Sequence, residues 1–460
     1  MRVGAAILGA AAALVVGPAR GAGLEHATVE GPALERAEVA GADGAWTHVA
    51  WASIDAPRAP GTWRLRLRWR GGDAVEIPHC AGRGRVVIDG AALSIGPGPR
   101  VVTLAPGDGT HEAHIDVRVS KYEKRVACSD PVRVGVARRT VHGLSRVTFT
   151  SPSDARGGGE AVMFVPPTRD VHRKGPLLVG VHPWNGTPWT YAAYHELVDE
   201  ARARDVALLM PSGLGNSLYV REAEEEVMRA IVAAGRLIAV DEARTSIWGA
   251  SMGGAGATTI GLHRPDRFAL VVSYFGDAKY DLGGYVRTIL HDEAGAKLVN
   301  AIDVIDNARH VPIWLIHGEA DRSSPVVQSQ MLHDALVARG YKVDFDRVPD
   351  AGHEGPLVAR FARRVVERAA TAKAPEHPAR VTFRSVRAED TRAYGVRITR
   401  PVRGDHEAFV DLVARGAELH VLRAEGVSAL SLSAGALGLE PGAKVVYATA
   451  SHPPVTWEAP

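Results

Sequence analysis

Two rhythms of apolar and polar positions divide this chain. From residue 24 to about 140, apolar residues recur at every second position in short runs. Thr62-Trp63-Arg64-Leu65-Arg66-Leu67-Arg68-Trp69 alternates apolar and basic side chains, and His114-Ile115-Asp116-Val117-Arg118-Val119 alternates again. Arg85-Val86-Val87-Ile88-Asp89-Gly90 reads as a strand running into a tight turn. The clusters Gly71-Gly72-Asp73, Gly96-Pro97-Gly98-Pro99 and Pro106-Gly107-Asp108-Gly109 separate the runs. Period two with turn signals at this spacing predicts a β-sandwich or jelly roll. The arginines at 64, 66 and 68 then form a solvated strand face, with a ligand-binding row as the alternative.

From about 145 to 372 the rhythm changes. Short apolar runs at 176–181, 206–210, 245–249, 270–275, 312–317 and 342–348 alternate with helical stretches such as 191–204 and 220–234. Continuous apolar strands between helices predict a mostly parallel sheet covered on both faces. From 378 to 460 strand patterns return, at 381–386 and 393–398 as an expected pair, then at 408–412, 419–422, 428–432 and 444–449. Lys373-Ala374-Pro375-Glu376-His377-Pro378 is the linker. The expected domains are therefore 24–140, 145–372 and 378–460, in keeping with the roughly three domains that a chain of this length suggests.

Composition adds limits. Hydrophobic residues make up 46% of the 460 residues and charged residues 23%, ordinary values for a globular chain. A net charge of +2 gives no reason to expect a nucleic-acid partner. Residues 1–22 begin Met1-Arg2, continue with an apolar run to Val16 and end in small residues. That is the form of a signal peptide, with a short buried helix or an uncleaved anchor as alternatives. No later stretch is long enough to span a membrane, so the mature form is expected to be secreted or periplasmic with no membrane span. The two cysteines, Cys80 and Cys128, pair as one disulfide in an exported chain or stay as two buried thiols. Their number and the histidine spacing suggest no metal site, and nothing calls for a cofactor.

The chemistry is concentrated in the middle region. Thr245-Ser246-Ile247-Trp248-Gly249-Ala250-Ser251-Met252-Gly253-Gly254 places Gly-x-Ser-x-Gly between an apolar strand and a small-residue helix start. Such a strand-to-helix turn exposes a nucleophilic serine at its apex, and the glycines leave the backbone room to turn. An acyl-transfer serine needs a histidine as base and an acid to orient it, in the order Ser, Asp or Glu, His. Asp321 follows the apolar strand 312–317, with Glu319 as a weaker competitor. His353 follows the strand 343–348 on the turn Gly352-His353-Glu354-Gly355, with Asp350 a further carboxylate nearby. Both positions fall past strand C-terminal ends, where open α/β sheets gather their ligands. An oxyanion needs two backbone N–H donors. Met252, after the nucleophile, supplies one. The other comes from the loop Val181-His182-Pro183-Trp184-Asn185-Gly186, where Pro183 has no N–H. Trp184 is the expected donor and Asn185 the runner-up. Trp189 and Tyr191 are candidate substrate-binding walls, with core packing as the alternative. His182 and His317 are expected to serve structural roles.

With these motifs in place, residues 160–370 resemble the prolyl oligopeptidase and esterase branch of the α/β-hydrolase superfamily. The resemblance extends through Val240-Asp241-Glu242-Ala243-Arg244, His263-Arg264-Pro265-Asp266-Arg267-Phe268-Ala269, His317-Gly318-Glu319-Ala320-Asp321 and Gly352-His353. Secreted polyhydroxyalkanoate depolymerases and feruloyl and acetyl xylan esterases share the pattern. The resemblance implies an α/β-hydrolase sheet, here flanked by an N-terminal β-sandwich-like domain and a small C-terminal β domain. It implies a serine hydrolase with the triad Ser251, Asp321 and His353. The expected reaction is ester cleavage through an acyl-enzyme, with acylated extracellular polysaccharide as a candidate substrate. A prolyl oligopeptidase-like peptidase and an inactive extracellular binding protein are the alternatives.

Overall fold

The computed structural model describes residues 142–152, 158–402 and 407–458, together with ten strand segments and short adjoining stretches between residues 23 and 137. The signal-peptide expectation at 1–22 and both Cys80 and Cys128 lie outside the described residues. The chain divides into two compact units: residues up to 148 with 160–171 and 187–207, and residues 149–159, 172–186 and 208–460.

In the first unit the strands are β1 (Gly23–Gly31), β2 (Leu34–Val39), β3 (Val49–Ile54), β4 (Gly61–Arg70), β5 (Ala74–Ile77), β6 (Val86–Ile88), β7 (Ala91–Leu93), β8 (Arg100–Thr103), β9 (Thr110–Val119) and β10 (Val132–Ala137). They form a six-stranded sheet in the order β2-β1-β4-β9-β6-β7 and a four-stranded sheet in the order β3-β10-β5-β8. Their pairings are antiparallel, β4 against β9 in register from Gly61 opposite Val119 to Arg70 opposite Thr110. The alternation read in β4 has a physical outcome. Leu65, Leu67 and Trp69 are buried, while Arg64, Arg66, Arg68 and Arg70 stand on the solvent face. Arg64 approaches Asp116 at 4.0 Å across this face. The hairpin strands β11 (Gly143–Thr150) and β12 (Gly158–Val165) follow in sequence.

The second unit has the α/β-hydrolase fold. Strand β13 (Gly175–Val181) leads, past α1 (His195–Ala203) in the first unit, to β14 (Ala207–Pro211), α2 (Glu222–Gly235), β15 (Val240–Ala250) and α3 (Met252–His263). Strand β16 (Leu270–Tyr274) is followed by α4 (Gly284–Leu290), α5 (Glu293–Lys297) and a 3-10 segment (Ala301–His310). Then come β17 (Ile313–Gly318), α6 (Val327–Ala338), β18 (Val343–Val348) and α7 (Pro356–Thr371). The strands lie in the order β14-β13-β15-β16-β17-β18, and from β13 through β18 every neighbouring pair is parallel. Strands β13, β14, β16 and β17 are buried at every position, as a sheet covered on both faces requires.

The C-terminal strands belong to the same unit. They are β19 (Arg380–Ser385), β20 (Arg392–Ala393), β21 (Val396–Thr399), β22 (Ala408–Arg415), β23 (Glu418–Glu425), β24 (Ala429–Leu432), β25 (Lys444–Tyr447) and β26 (Val455–Trp457). They make two four-stranded sheets, β19-β22-β23-β25 and β20-β21-β24-β26, closed over an apolar core that includes Phe383, Val396, Val410 and Leu432. The expected pairing of 381–386 with 393–398 does not form. Strand β19 pairs with β22, and β21 pairs with β20 and β24. The connection between β19 and β21 is not a hairpin turn because Arg387 and Asp390 on it turn inward and bond the hydrolase core. Arg387 donates to Glu224 at 2.7 Å and to Asp390 at 2.8 Å, and His263 lies 2.6 Å from Asp390.

Candidate active site

Ser251 occupies the sharp turn between β15 and α3, with φ 57° and ψ −121°. A non-glycine residue held there is strained, at a typical cost of about 1–3 kcal/mol. The surrounding glycines make the turn possible. A Cβ on Gly253 would overlap the carbonyl oxygen of Val181, and one on Gly249 would strike the carbonyls of Gly253 and Val181. One on Gly254 would meet the carbonyl of Tyr274. The elbow is thus wedged between the ends of β13 and β16, and Ser251 N–H donates to Tyr274 O at 2.9 Å. Ser251 stands at the N-cap of α3 without capping it; its hydroxyl is engaged elsewhere.

That engagement is with His353. Ser251 Oγ lies 2.7 Å from His353 Nε2, and His353 Nδ1 lies 2.7 Å from Asp321 Oδ2. An ionised carboxylate only accepts, so Nδ1–H donates to Asp321 and Nε2 is left to accept the serine proton. Asp321 is buried and fixed from its other side. Its Oδ1 accepts the N–H groups of Ser323 and Ser324 at 2.8 and 2.9 Å. Two loops must approach closely to bring acid and base together. A Cβ on Gly318 would overlap the carbonyl of Ala351, while Ala320 N–H donates to that carbonyl at 2.9 Å. Asp350 makes the adjoining turn at φ 61°. The ring of Phe275 packs on His353 with centroids 4.5 Å apart.

Polar groups behind the acid complete the arrangement. His317 is buried and donates from Nε2 to Ser324 O at 2.8 Å, while Nδ1 pairs with Ser329 Oγ at 2.7 Å. Burial lowers its pKa, which keeps the ring neutral and structural. Asp277, just past β16, accepts from Ser324 Oγ at 2.6 Å. Burial pushes its carboxyl up, against the Ser324 hydrogen bond. Sequence reasoning missed Asp277 in this role, because only the adjacency of β16 and β17 places it beside the Asp321 loop. Neither Glu319 nor Asp350 takes the acid position: His353 Nδ1 pairs with Asp321, and Glu319 pairs with Arg347 at 2.8 Å.

The oxyanion loop follows β13. Pro183 has no N–H. Asn185 N–H donates to Asn216 Oδ1 at 2.7 Å, and Gly186 N–H to Pro183 O at 2.8 Å. The N–H of Asn185, the runner-up donor, is therefore already committed to Asn216. Met252 opens α3, where first-turn N–H groups have no intrahelical acceptor. Trp189 and Tyr191 belong to the first unit and are 6% and 1% exposed. Tyr191 packs against Tyr194 with centroids 6.3 Å apart. Their described surroundings are those of core residues.

Residues 224–372, which contain Ser251, Asp321 and His353, match the prolyl oligopeptidase family. A search of curated proteins returned no match. Among solved structures, an S-formylglutathione hydrolase from Agrobacterium tumefaciens is similar over 50% of this chain and 95% of its own, at 17% identity and a TM-score of 0.44. A ferulic acid esterase aligns over 50% of this chain and 98% of its own, at 15% identity and a TM-score of 0.43. A truncated carbohydrate esterase from gut microbiota aligns over 50% and 97%, at 17% identity and a TM-score of 0.41.

Proposed function

We propose that this serine hydrolase, whose α/β-hydrolase domain carries the prolyl oligopeptidase family match, cleaves carboxylic esters through an acyl-enzyme on Ser251. The observation that carries the reading is the unbroken relay Ser251–His353–Asp321, with both links at 2.7 Å. Ser251 Oγ attacks the carbonyl carbon while His353 Nε2 takes its proton. The Asp321 carboxylate holds the imidazole in the required tautomer and stabilises the imidazolium that forms. The N–H groups of Met252 and Trp184 receive the oxyanion, a contribution worth about 10²–10³ in rate per donor. His353 then protonates the leaving alkoxide. Water then attacks the acyl carbon as it loses a proton to His353, the bond from the acyl carbon to Ser251 Oγ breaks, and His353 returns the proton to Oγ as the acid leaves.

Ester is preferred over amide because the described strands between 23 and 137 form one six-stranded and one four-stranded antiparallel sheet, which is not the repeated-blade arrangement of a gate that selects short peptides. The peptidase reading has one specific support, the family match itself. The exported location and an acylated polysaccharide substrate rest on the sequence pattern of residues 1–22 and on the β-rich regions flanking the hydrolase fold. The deciding assay compares wild type with Ser251→Ala on a short-chain aryl ester and on a chromogenic peptide amide. Ser251-dependent turnover of the ester alone supports the esterase. Ser251-dependent cleavage of the amide at a comparable rate replaces it with the peptidase. For the substrate class, release of acetate or hydroxycinnamate from acylated xylan is expected; no release from any acylated glycan removes that assignment.

A further inference from the structure

Strand β16 runs into three residues that each touch the support of a different member of the triad. Phe275 lays its ring on His353, with centroids 4.5 Å apart. Gly276 is pressed on the elbow, because a Cβ there would overlap Gly254 C and Ala255 N. Asp277 Oδ1 accepts from Ser324 Oγ at 2.6 Å, on the loop that carries Asp321. The backbone is held on both sides of Asp277. Phe275 N–H donates to Ile316 O at 2.8 Å, and the N–H groups of Ala278 and Lys279 donate to Gln328 Oε1, each at 3.1 Å. Phe275 itself has φ 39°, a strained value for a bulky residue that persists only where the surroundings over-determine the backbone.

Ser324 is where this anchor meets the acid. Its own N–H donates to Asp321 Oδ1 at 2.9 Å, beside the N–H of Ser323 at 2.8 Å. Both donors lie two and three residues after the aspartate, so the turn closes on its own carboxylate. Two further bonds tie Ser324 to elements outside that turn. His317 Nε2–H, on β17, donates to Ser324 O at 2.8 Å, and Ser324 Oγ donates to Asp277 beyond β16. The carbonyl and the hydroxyl branch from the same Cα as the N–H, so holding both aims that N–H at Asp321 Oδ1. The other oxygen of the carboxylate, Oδ2, then faces His353 Nδ1 at 2.7 Å.

We propose that Asp277 is a positioning residue for the catalytic acid: by holding the Ser324 hydroxyl from beyond the neighbouring strand, it fixes the N–H that Ser324 donates to Asp321, and with it the direction in which Asp321 faces His353. The inference rests on the serine hydrolase reading. Asp277 acts through Ser324 and Asp321, not on the reacting atoms. Three consecutive residues past β16 thus brace the base, the elbow and the acid from one rigid segment.

The test uses full-length enzyme and a short-chain aryl ester. Asp277→Ala is expected to lower kcat about 10- to 100-fold, the cost of a misplaced catalytic group, while KM changes less than about threefold. Ser324→Ala cuts the same bond from its other end and should match that loss, and the two combined should lose no more than about threefold beyond either alone. Asp277→Asn keeps an acceptor for the Ser324 hydroxyl and recovers most of the activity. Equal losses in Asp277→Asn and Asp277→Ala would overturn the positioning role in favour of the charge itself. Asp321→Ala leaves no carboxylate to aim, so adding Asp277→Ala to it should lower the residual rate by less than about twofold. A further loss of about tenfold in that background would mean that Asp277 serves His353 directly, and would overturn the proposal. If Asp277→Ala keeps the wild-type kcat while Ser251→Ala abolishes turnover, the positioning role is refuted and the nucleophile stands. Turnover that survives Ser251→Ala refutes both.

Discussion

Replacing Arg387 with methionine tests whether the C-terminal strands are structurally part of the hydrolase fold. Arg387 is 4% exposed and bridges two buried carboxylates. Its Nη1 and Nη2 reach Glu224 at 2.7 and 3.3 Å, and its Nε reaches Asp390 at 2.8 Å. Glu224 also accepts from Arg264 at 2.8 Å, and Asp390 faces His263 at 2.6 Å. Methionine fills similar volume but leaves both carboxylates short of a cation. Breaking a buried pair from one side costs about 3–5 kcal/mol. For a unit of this size each kcal/mol moves Tm by about 2–4 °C, so a fall of roughly 6–20 °C is expected. The damage should stay local to stability. His263 ends α3 and Ser251 precedes it, and twelve helical residues separate the ends by about 18 Å. Below the transition, kcat on an aryl ester should therefore stay within about twofold of wild type. Thermal unfolding followed by tryptophan fluorescence reads the shift. Adding Glu224→Gln to the variant removes one of the two undercompensated charges and should recover part of the loss, with a coupling of about 1 kcal/mol or more. A Tm within about 2 °C of wild type, or strict additivity of the two substitutions, would refute the reasoning.

Three further outcomes follow from the same contacts. Asp321→Asn should lower kcat by about 10⁴ with little change in Tm, because the amide favours the wrong histidine tautomer; a loss below tenfold would give the acid role to another group. Gly253→Ala should prevent the elbow from closing, since its Cβ would overlap Val181 O; soluble, fully active protein would contradict the packing described. Asp390 is driven up by burial, but the His263 hydrogen bond and Arg387 overcome this and bring it from 3.8 to about 2. A depressed folded value stabilises the fold above the unfolded pKa and is lost as pH falls through about 2, a contribution of roughly 2 kcal/mol at neutral pH. Asp390→Asn should therefore lower stability at pH 7 and converge on wild type as pH approaches 2; a gap independent of pH would remove the electrostatic explanation.

The residues of the proposed triad were legible because each has a local cause. The elbow needs glycine beside Ser251, and Asp321 and His353 each follow an apolar strand at its C-terminal end. Parallel strands could be read from continuous apolar runs such as β13 and β17. The remaining features depend on contacts between residues distant in sequence. Arg387 and Asp390 look like solvated loop charges until Glu224 and His263, more than a hundred positions away, are brought against them. That diversion is why β19 does not pair with β21. Asn185 qualified as a second oxyanion donor by position alone, and only its bond to Asn216 on another loop shows its N–H to be committed. Trp189 and Tyr191 were singled out as aromatics near a motif, but burial gives them core surroundings.

The most direct test of the central claim is intact-mass analysis of the enzyme quenched in acid during turnover of an aryl ester, followed by peptide mapping. The account predicts a transient adduct with the mass of the acyl group, carried by Ser251, accumulating further in a His353→Gln variant only if acylation still proceeds, and absent from Ser251→Ala, which also loses turnover. Wild-type rates of hydrolysis by Ser251→Ala, or an acyl group mapped to another residue, would contradict it.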